Sequence, residues 1–283
     1  MGFDRRLLVT GAGGQLGRAL GRLVPGAVLL DRSALDVTDR AAVAGAVVAH
    51  HPEVIVHAAA YTRVDAAEAN SLECRAVNVS GTEAVAEAAG KVGALLVYPS
   101  TDYVFPGEKM GAYREEDATG PLSVYGRTKL EGERVAAGHS PHLIVRTSWV
   151  FGEGHNFVRT ILAAASRHAE IRVVDDQRGL PTYAPDLAAG IVLLLERGAS
   201  GTYHLAGGGE AASWAELASA ALKAAGSAVR VRPVSTSEYD AGRSGPFAAR
   251  PANGVLDCTK AEKIGVWLRP WREALAGYVR GGT

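Results

Sequence analysis

A short apolar run that ends in glycines limits what this chain can become. Leu7–Thr10 reads L-L-V-T, and G-A-G-G-Q-L-G follows at 11–17. Four apolar or β-branched residues in a row, with no polar alternation, describe a strand buried on both faces of a parallel sheet. The helical spacing of Leu16, Leu20 and Leu23 comes next, so the chain opens as a strand–turn–helix unit. Gly11, Gly14 and Gly17 fall as G-x-x-G-x-x-G. Glycine permits the tight turn and lets a pyrophosphate approach the backbone, while the helix N-terminus offers free N–H groups and a positive dipole end.

The next strand is expected over 27–30 and ends in Asp31, twenty residues after Gly11. An acid there accepts the ribose hydroxyls of an adenine dinucleotide. Arg32 follows at once and suits a 2′-phosphate. The pair points to NADPH or NADH and leaves the choice open; the plainer alternative is a structural glycine turn with a surface Asp. Asp36 and Val37 lie where a side chain meets the adenine. A helix over 39–50 leads to the strand Val54–His57, and the small residues Ala58, Ala59 and Ala60 then let a nucleotide lie close to the backbone or simply pack.

Two helical patterns fill 64–90, with Asn78 early in the second, and a fourth strand is expected over 95–98. Ser100, Thr101 and Asp102 follow it. In an open α/β sheet the carboxyl ends of strands carry the ligands, so these side chains are placed to hydrogen-bond a substrate, although S-T-D is also an ordinary turn. Tyr125 and Lys129 stand four residues apart at the start of a helix, on one face. A neighbouring ammonium favours the phenolate, so the spacing predicts a Tyr whose pKa is drawn toward the working range, an acid/base unit for carbonyl–alcohol interconversion. The alternative is an exposed Tyr beside a solvated Lys.

A fifth strand is expected over 143–146, with Trp149 just beyond it, available to stack on a sugar or base or to join the core. After about residue 150 the strand–helix alternation loosens. A helix begins at Asn156, a strand lies at 171–174, a helix at 186–196, a strand at 201–205, a helix at 214–225, a strand at 229–234 and a last helix at 271–279. The stretch 236–256, rich in Ser, Gly, Arg and Pro, reads as an irregular binding loop. Arg178, Arg230, Arg232, Arg243 and Arg250 are candidate diphosphate partners or solvated surface.

Lys+Arg and Asp+Glu are equal at 30 each, and no basic stripe argues for nucleic acid. Cys74 and Cys258 are far apart, which suits a reducing compartment. The early apolar run is too short for a signal or a membrane span, so a cytoplasmic setting without membrane attachment is the expectation. No H-E-x-x-H, C-x-x-C, G-x-S-x-G or phosphate-loop motif is present, and no metal ligand is assigned.

The combination of the glycine turn, S-T at the end of strand four and Y-x-x-x-K resembles the extended short-chain dehydrogenase/reductase family. Within it, the chain is similar to the dTDP-4-dehydrorhamnose reductase group. The stretches that carry the likeness are T-G-A-G-G-Q-L-G at 10–17, L-D-R-S-x-L-D at 30–36, H-A-A-A-Y-T-x-V-D at 57–65, S-T-D-Y-V-F-P-G at 100–107, P-L-x-V-Y-G-x-T-K at 121–129, R-T-S-W-V-F at 146–151, N-F-V at 156–158, D-D-Q-x-G-x-P-T at 175–182 and R-P at 250–251.

The resemblance implies an α/β fold: a Rossmann-type doubly wound parallel sheet with a smaller C-terminal α/β substrate lobe. The NAD(P)-binding domain would span 1–150, with helices returning to it from about 184–200, and the nucleotide-sugar lobe would be mainly 151–283. It implies reduction of the C4 ketone of dTDP-4-dehydro-L-rhamnose, or of a related dTDP-4-keto-6-deoxyhexose, by NADPH or NADH. Tyr125 would be the acid and Lys129 its partner, both also meeting the cofactor, Lys129 at the nicotinamide ribose, with Thr101 and Asp102 beside the reacting carbonyl. Gly14, Gln15, Leu16, Asp31, Asp36, Val37, Ala60, Tyr61 and Thr62 would line the dinucleotide. Tyr103, Trp149, Asn156 and Arg250 would contact the substrate.

Some members dimerise through Mg²⁺ held by acidic residues; those acids do not map onto this sequence, so Mg²⁺ and a homodimer are left open. Two rivals remain. One is a nucleotide-sugar 4,6-dehydratase or epimerase; the dehydratases carry an Asp-Glu pair after the Thr, whereas here Asp102 precedes Tyr103. A relative of the group is a non-catalytic nucleotide-binding regulatory subunit.

Overall fold

The computed structural model describes residues 3–139, 141–241 and 244–281; Arg243 lies outside them. In chain order the elements are β1 (Leu7–Thr10), α1 (Gln15–Leu23), β2 (Val28–Leu30), α2 (Arg40–His50), β3 (Val54–His57), α3 (Val64–Ala69), α4 (Ser71–Arg75), a π-helical turn (Ala76–Ser80), α5 (Gly81–Val92), β4 (Leu95–Thr101), a 3₁₀ turn (Asp102–Val104), α6 (Val124–Ala137) and β5 (His142–Thr147). There follow β6 (Val150–Phe151), α7 (Phe157–Ala165), β7 (Glu170–Val174), β8 (Arg178–Gly179), β9 (Thr182–Tyr183), α8 (Ala184–Glu196), β10 (Gly201–His204), β11 (Ala212–Ser213), α9 (Trp214–Ala224), β12 (Arg230–Val234), α10 (Thr236–Asp240), α11 (Thr259–Glu262) and α12 (Trp271–Arg280).

Six parallel strands form the main sheet in the order β10-β5-β4-β3-β1-β2. The chain leaves β1 for β2 on one side and returns for β3 on the other, so the order reverses at β1 and β3. That reversal opens a crevice at their carboxyl ends. Leu7 and Val9 of β1 face a core shared with Leu20 of α1 and Leu187 and Ile191 of α8. Leu8 faces the opposite core with Val43 of α2 and Val85 and Ala88 of α5. Burial on both faces is the reason the strand reads as an unbroken apolar run.

The segment from α8 to β10 returns to the main sheet, where Gly201–His204 pairs with His142–Thr147 at the edge. Of the remainder, Ala261 and Val266 join the core of β1 and α8, and Leu180 and Leu256 pack with Phe105 and Leu130. β7 pairs β12, and α7, α9 and α12 close around Phe151, Val158, Leu217 and Trp271.

Two local expectations are corrected. Strand four does not end at 98 but runs to Thr101, so Ser100 and Thr101 are strand residues; β3 pairs only as far as Val56↔Val97, while β5 pairs on to Thr101↔Thr147. Pro99, which cannot donate to a ladder, lies beyond the last β3 pair. The stretch expected to be irregular over 236–256 opens with α10, because Ser235 and Glu238 form a reciprocal capping box. Among the described residues no helix is long and apolar enough to cross a membrane.

Candidate active site at the carboxyl ends of the strands

The glycine turn is built for close approach. Gly11 has φ +66°, and a Cβ there would lie 2.5 Å from the Ala59 nitrogen, so the turn after β1 rests directly on the backbone leaving β3. A Cβ on Gly17 would lie 2.5 Å from the Ala12 Cα, so α1 also packs on the turn. Gly14 caps α1 without any side-chain acceptor, and the first N–H groups of the helix face the crevice uncapped. Gln15 donates from Nε2 to the Val150 carbonyl at 3.3 Å, and Leu16 packs half-buried on the core.

At the end of β2 the Asp31 carboxylate accepts from Ser33 Oγ (2.6 Å), Ser33 N (2.9 Å) and Ala34 N (3.0 Å), and these bonds, the Ser33 hydroxyl first, hold its pKa below the usual range. Arg32 beside it is exposed. Asp36 turns onto Thr38, while Val37 is buried against Gly81. Ala58, Ala59 and Ala60 are half-buried along the crevice, and Thr62 is exposed. Tyr61 is held by its backbone: Asn78 Oδ1 accepts from Tyr61 N at 2.8 Å and Asn78 Nδ2 donates to Tyr61 O at 3.3 Å. The cradle of cleared Cβ positions, uncapped helix N-terminus and acid at the end of β2 fits an adenine dinucleotide.

The second wall brings together Thr101, Asp102, Tyr103, Tyr125 and Lys129. Ser123 caps α6 by accepting from Gly126 N at 3.1 Å, which starts the helix two residues before Tyr125. The Thr101 hydroxyl donates to Asp102 Oδ1 at 3.0 Å, and the Tyr125 phenol stands beside it. Burial pushes the Tyr125 pKa well above its ordinary value, and the neighbouring Thr101 hydroxyl opposes this only in part. The phenol is therefore not drawn toward neutrality, as the Tyr–Lys spacing alone predicts; desolvation outweighs the ammonium.

Lys129 is buried. It donates from Nζ to the Pro99 carbonyl at 2.7 Å, and burial lowers its pKa to about 7. Asp102 is buried too, with Oδ2 unpartnered, and burial raises its pKa to about 7. A Cβ on Gly254 would lie 2.3 Å from that oxygen, so the C-terminal loop lies directly against the carboxyl.

The substrate-side residues divide. Tyr103 packs edge-on to Tyr125, with ring centroids 5.6 Å apart, and the Arg250 guanidinium lies near its phenol while pairing with Asp65 at 2.8 Å. Arg250 thus stands beside the candidate pair. Arg178 is pinned to the Ala211 carbonyl and Glu216, and Arg230 and Arg232 are exposed on β12. Trp149 has φ +46° and stacks on Trp214 at 3.6 Å, so one ring face is already covered. Asn156 serves as a cap. Its Oδ1 accepts from Arg159 N, and its Nδ2 donates to Gly152 O, Gly154 O and the Tyr278 hydroxyl. Among the described residues no three His, Cys, Asp or Glu side chains gather as a metal-binding group.

Sequence reading assigned no role to Asn78, whose Nδ2 also donates to Thr128 Oγ1 at 3.0 Å and so ties the Tyr61 backbone to α6. It assigned none to Gly126 or Gly254 either. A glycine immediately after the candidate acid, inside a helix where glycine is unfavourable, was the available signal for the first.

A family model described as the RmlD substrate binding domain matches residues 5–282. A dTDP-4-dehydrorhamnose reductase of Sinorhizobium fredii is 42% identical over 286 residues, covering 95% of each chain. A dTDP-4-keto-6-deoxy-D-glucose reductase of Streptomyces niveus is 39% identical over 279 residues, again covering 95% of each. The crystal structure of a dTDP-4-dehydrorhamnose reductase from Bacillus anthracis, in complex with NADP, superposes with a TM-score of 0.92 at 37% identity, covering 99% of this chain and 100% of that one.

Proposed function

This chain belongs to the RmlD substrate-binding domain family, and on that premise we infer that it is an NAD(P)H-dependent oxidoreductase that reduces the C4 ketone of dTDP-4-dehydro-L-rhamnose, or of a closely related dTDP-4-keto-6-deoxyhexose, to the alcohol. The observation that carries the reading is the grouping of Tyr125 beside Thr101, which donates to the Asp102 carboxyl, with buried Lys129 one helical turn from Tyr125, at the carboxyl ends of the strands that flank the glycine cradle.

Gly11, Gly14, Gln15, Leu16, Gly17, Asp31, Arg32 and 58–62 are assigned to hold the dinucleotide, its phosphates at the N-terminus of α1. A reduced nicotinamide, when bound, supplies the hydride to C4. Thr101 hydrogen-bonds the ketone oxygen and keeps it in reach of Tyr125. The raised pKa of Tyr125 keeps the phenol protonated at neutral pH, so it enters the reaction as an acid and gives its proton to the developing alkoxide. Lys129 is an ammonium one turn away that stabilises the phenolate left behind. Tyr103 and Arg250 bound the sugar and diphosphate side, and binding energy from the nucleotide diphosphate orients the ring. A cytoplasmic setting is part of this reading, supported by two unpaired cysteines.

The test is oxidation of NADPH and of NADH with dTDP-4-keto-6-deoxyglucose, with and without a 3,5-epimerase that makes the L-sugar. Oxidation only with the epimerase assigns the rhamnose reaction. Oxidation without it assigns another deoxysugar. No oxidation under either condition overturns the reading.

A further inference from the structure

The ammonium of Lys129 is held from a direction the catalytic spacing does not reveal. Its Nζ lies 3.9 Å from the centroid of the Tyr98 ring, with the Pro99 carbonyl 2.7 Å away on the same strand. Tyr98 is 1% exposed and cannot rotate freely. A Cβ on Gly132 would lie 2.2 Å from its hydroxyl, so α6 is notched to receive the phenol, which reaches the Lys129 carbonyl at 3.4 Å. The ring is locked between strand and helix with its face toward the cation.

A cation desolvated over an aromatic face is held more strongly than one at an exposed site, because the ring quadrupole no longer competes with water. The other groups around Lys129 offset its burial only in part, since its pKa is still lowered to about 7. His57 of β3 is buried with its pKa lowered to about 3, so it is neutral; it lies 6.2 Å from the Tyr98 ring, and its Nδ1 is bonded to Thr10. Cys74 of α4 is a thiol whose pKa burial raises. Tyr125, one turn earlier on α6, holds its proton. Glu133, one turn on, attracts the ammonium, but its carboxylate is held in a bidentate pair with Arg146.

We propose that Tyr98 is a positioning residue for the reduction: its ring face keeps the Lys129 side chain charged and aimed at the acid through cation–π attraction. The role rests on the reductase reading for its consequence in turnover. The physical claim about Lys129 stands apart from it.

The experiment replaces Tyr98 by Phe and then by mono-, tri- and pentafluorinated Phe, which keep the ring's shape while weakening and finally reversing its negative face. The Lys129 titration is followed by NMR of ¹³Cε-labelled lysine, and kcat is followed against pH with the keto sugar. Tyr98→Phe should keep the wild-type midpoint to within a few tenths of a unit. Fluorination should lower the midpoint stepwise by about one unit overall. The alkaline limb of kcat should move down with it, so that turnover at pH 8 falls about tenfold while KM for the sugar holds. A midpoint that stays fixed from Phe to pentafluoro-Phe overturns the proposal. If wild-type protein turns over no keto sugar, the functional reading fails instead, and the NMR series still decides the role of Tyr98.

Discussion

Gly126 of α6 stands so close to Tyr103 that a Cβ on it would lie 2.3 Å from the Tyr103 carbonyl oxygen. The missing side chain lets the helix bearing Tyr125 press against the 3₁₀ turn that follows Thr101. That approach sets the Tyr125 phenol beside Thr101.

Gly126→Ala should therefore lower stability by about 1–3 kcal/mol, as overpacking against rigid backbone does. It should also reduce kcat by an order of magnitude or more while leaving dinucleotide affinity near wild type. Gly45 is the internal control: it too sits inside a helix, but nothing lies within 4 Å of the Cβ it would gain. Gly45→Ala should stabilise the protein by roughly 0.5–1 kcal/mol. Thermal unfolding of the two variants side by side checks both signs.

Tyr125→Phe removes the proton donor and little else, since the half-buried ring remains. Turnover should drop by about 10²–10⁴-fold, the range for losing a general acid. Dinucleotide binding, measured by fluorescence or calorimetry, should change by less than about twofold. Near-normal turnover in this variant would rule out Tyr125 as the acid.

Asp102 makes stability depend on pH in a set direction. Its folded pKa, raised by burial to about 7, exceeds the unfolded value near 3.8, so the folded state holds a proton that the unfolded state has lost between these limits. The contribution of this group to stability is greatest below about pH 4, falls as pH rises toward 7, and levels off above. Asp102→Asn removes the ionisation. The expected result is a melting temperature higher by a few °C, to order of magnitude, at pH 8 and little changed at pH 4. Melting curves of wild type and variant that stay parallel across this range would contradict the assignment.

Arg146 and Glu133 form a buried bidentate pair, Nε to Oε1 at 2.9 Å and Nη2 to Oε2 at 2.8 Å, with side chains only 7% and 5% exposed. Removing one partner strands a charge. Glu133→Gln should cost about 3–5 kcal/mol, whereas the double change Arg146→Met with Glu133→Leu should recover most of that loss. Urea unfolding of the single and double variants gives the comparison, and the penalty should hardly respond to salt because water is excluded.

The elements that the sequence fixes by itself are those encoded in neighbouring residues. L-L-V-T followed by glycines and a 3.6-residue apolar repeat has few other solutions than a buried strand, a tight turn and a helix, and Y-x-x-x-K places two side chains on one helix face whatever surrounds them. The crevice and the candidate catalytic wall were legible for that reason. What only the tertiary structure decided depends on residues far apart in the chain. Gly201–His204 became the edge strand of the main sheet because β5 offered it an open edge. Trp149 met Trp214, Asn156 became a cap bonded to Tyr278, and Arg250 reached Tyr103 while Arg178 and β12 did not. The pKa of Tyr125 went the same way. Sequence spacing supplies the ammonium next door, but desolvation, set by everything packed around the ring, is the larger effect and pushes the other way. Local periodicity cannot encode which distant surfaces close over a group, and that closure determines its charge.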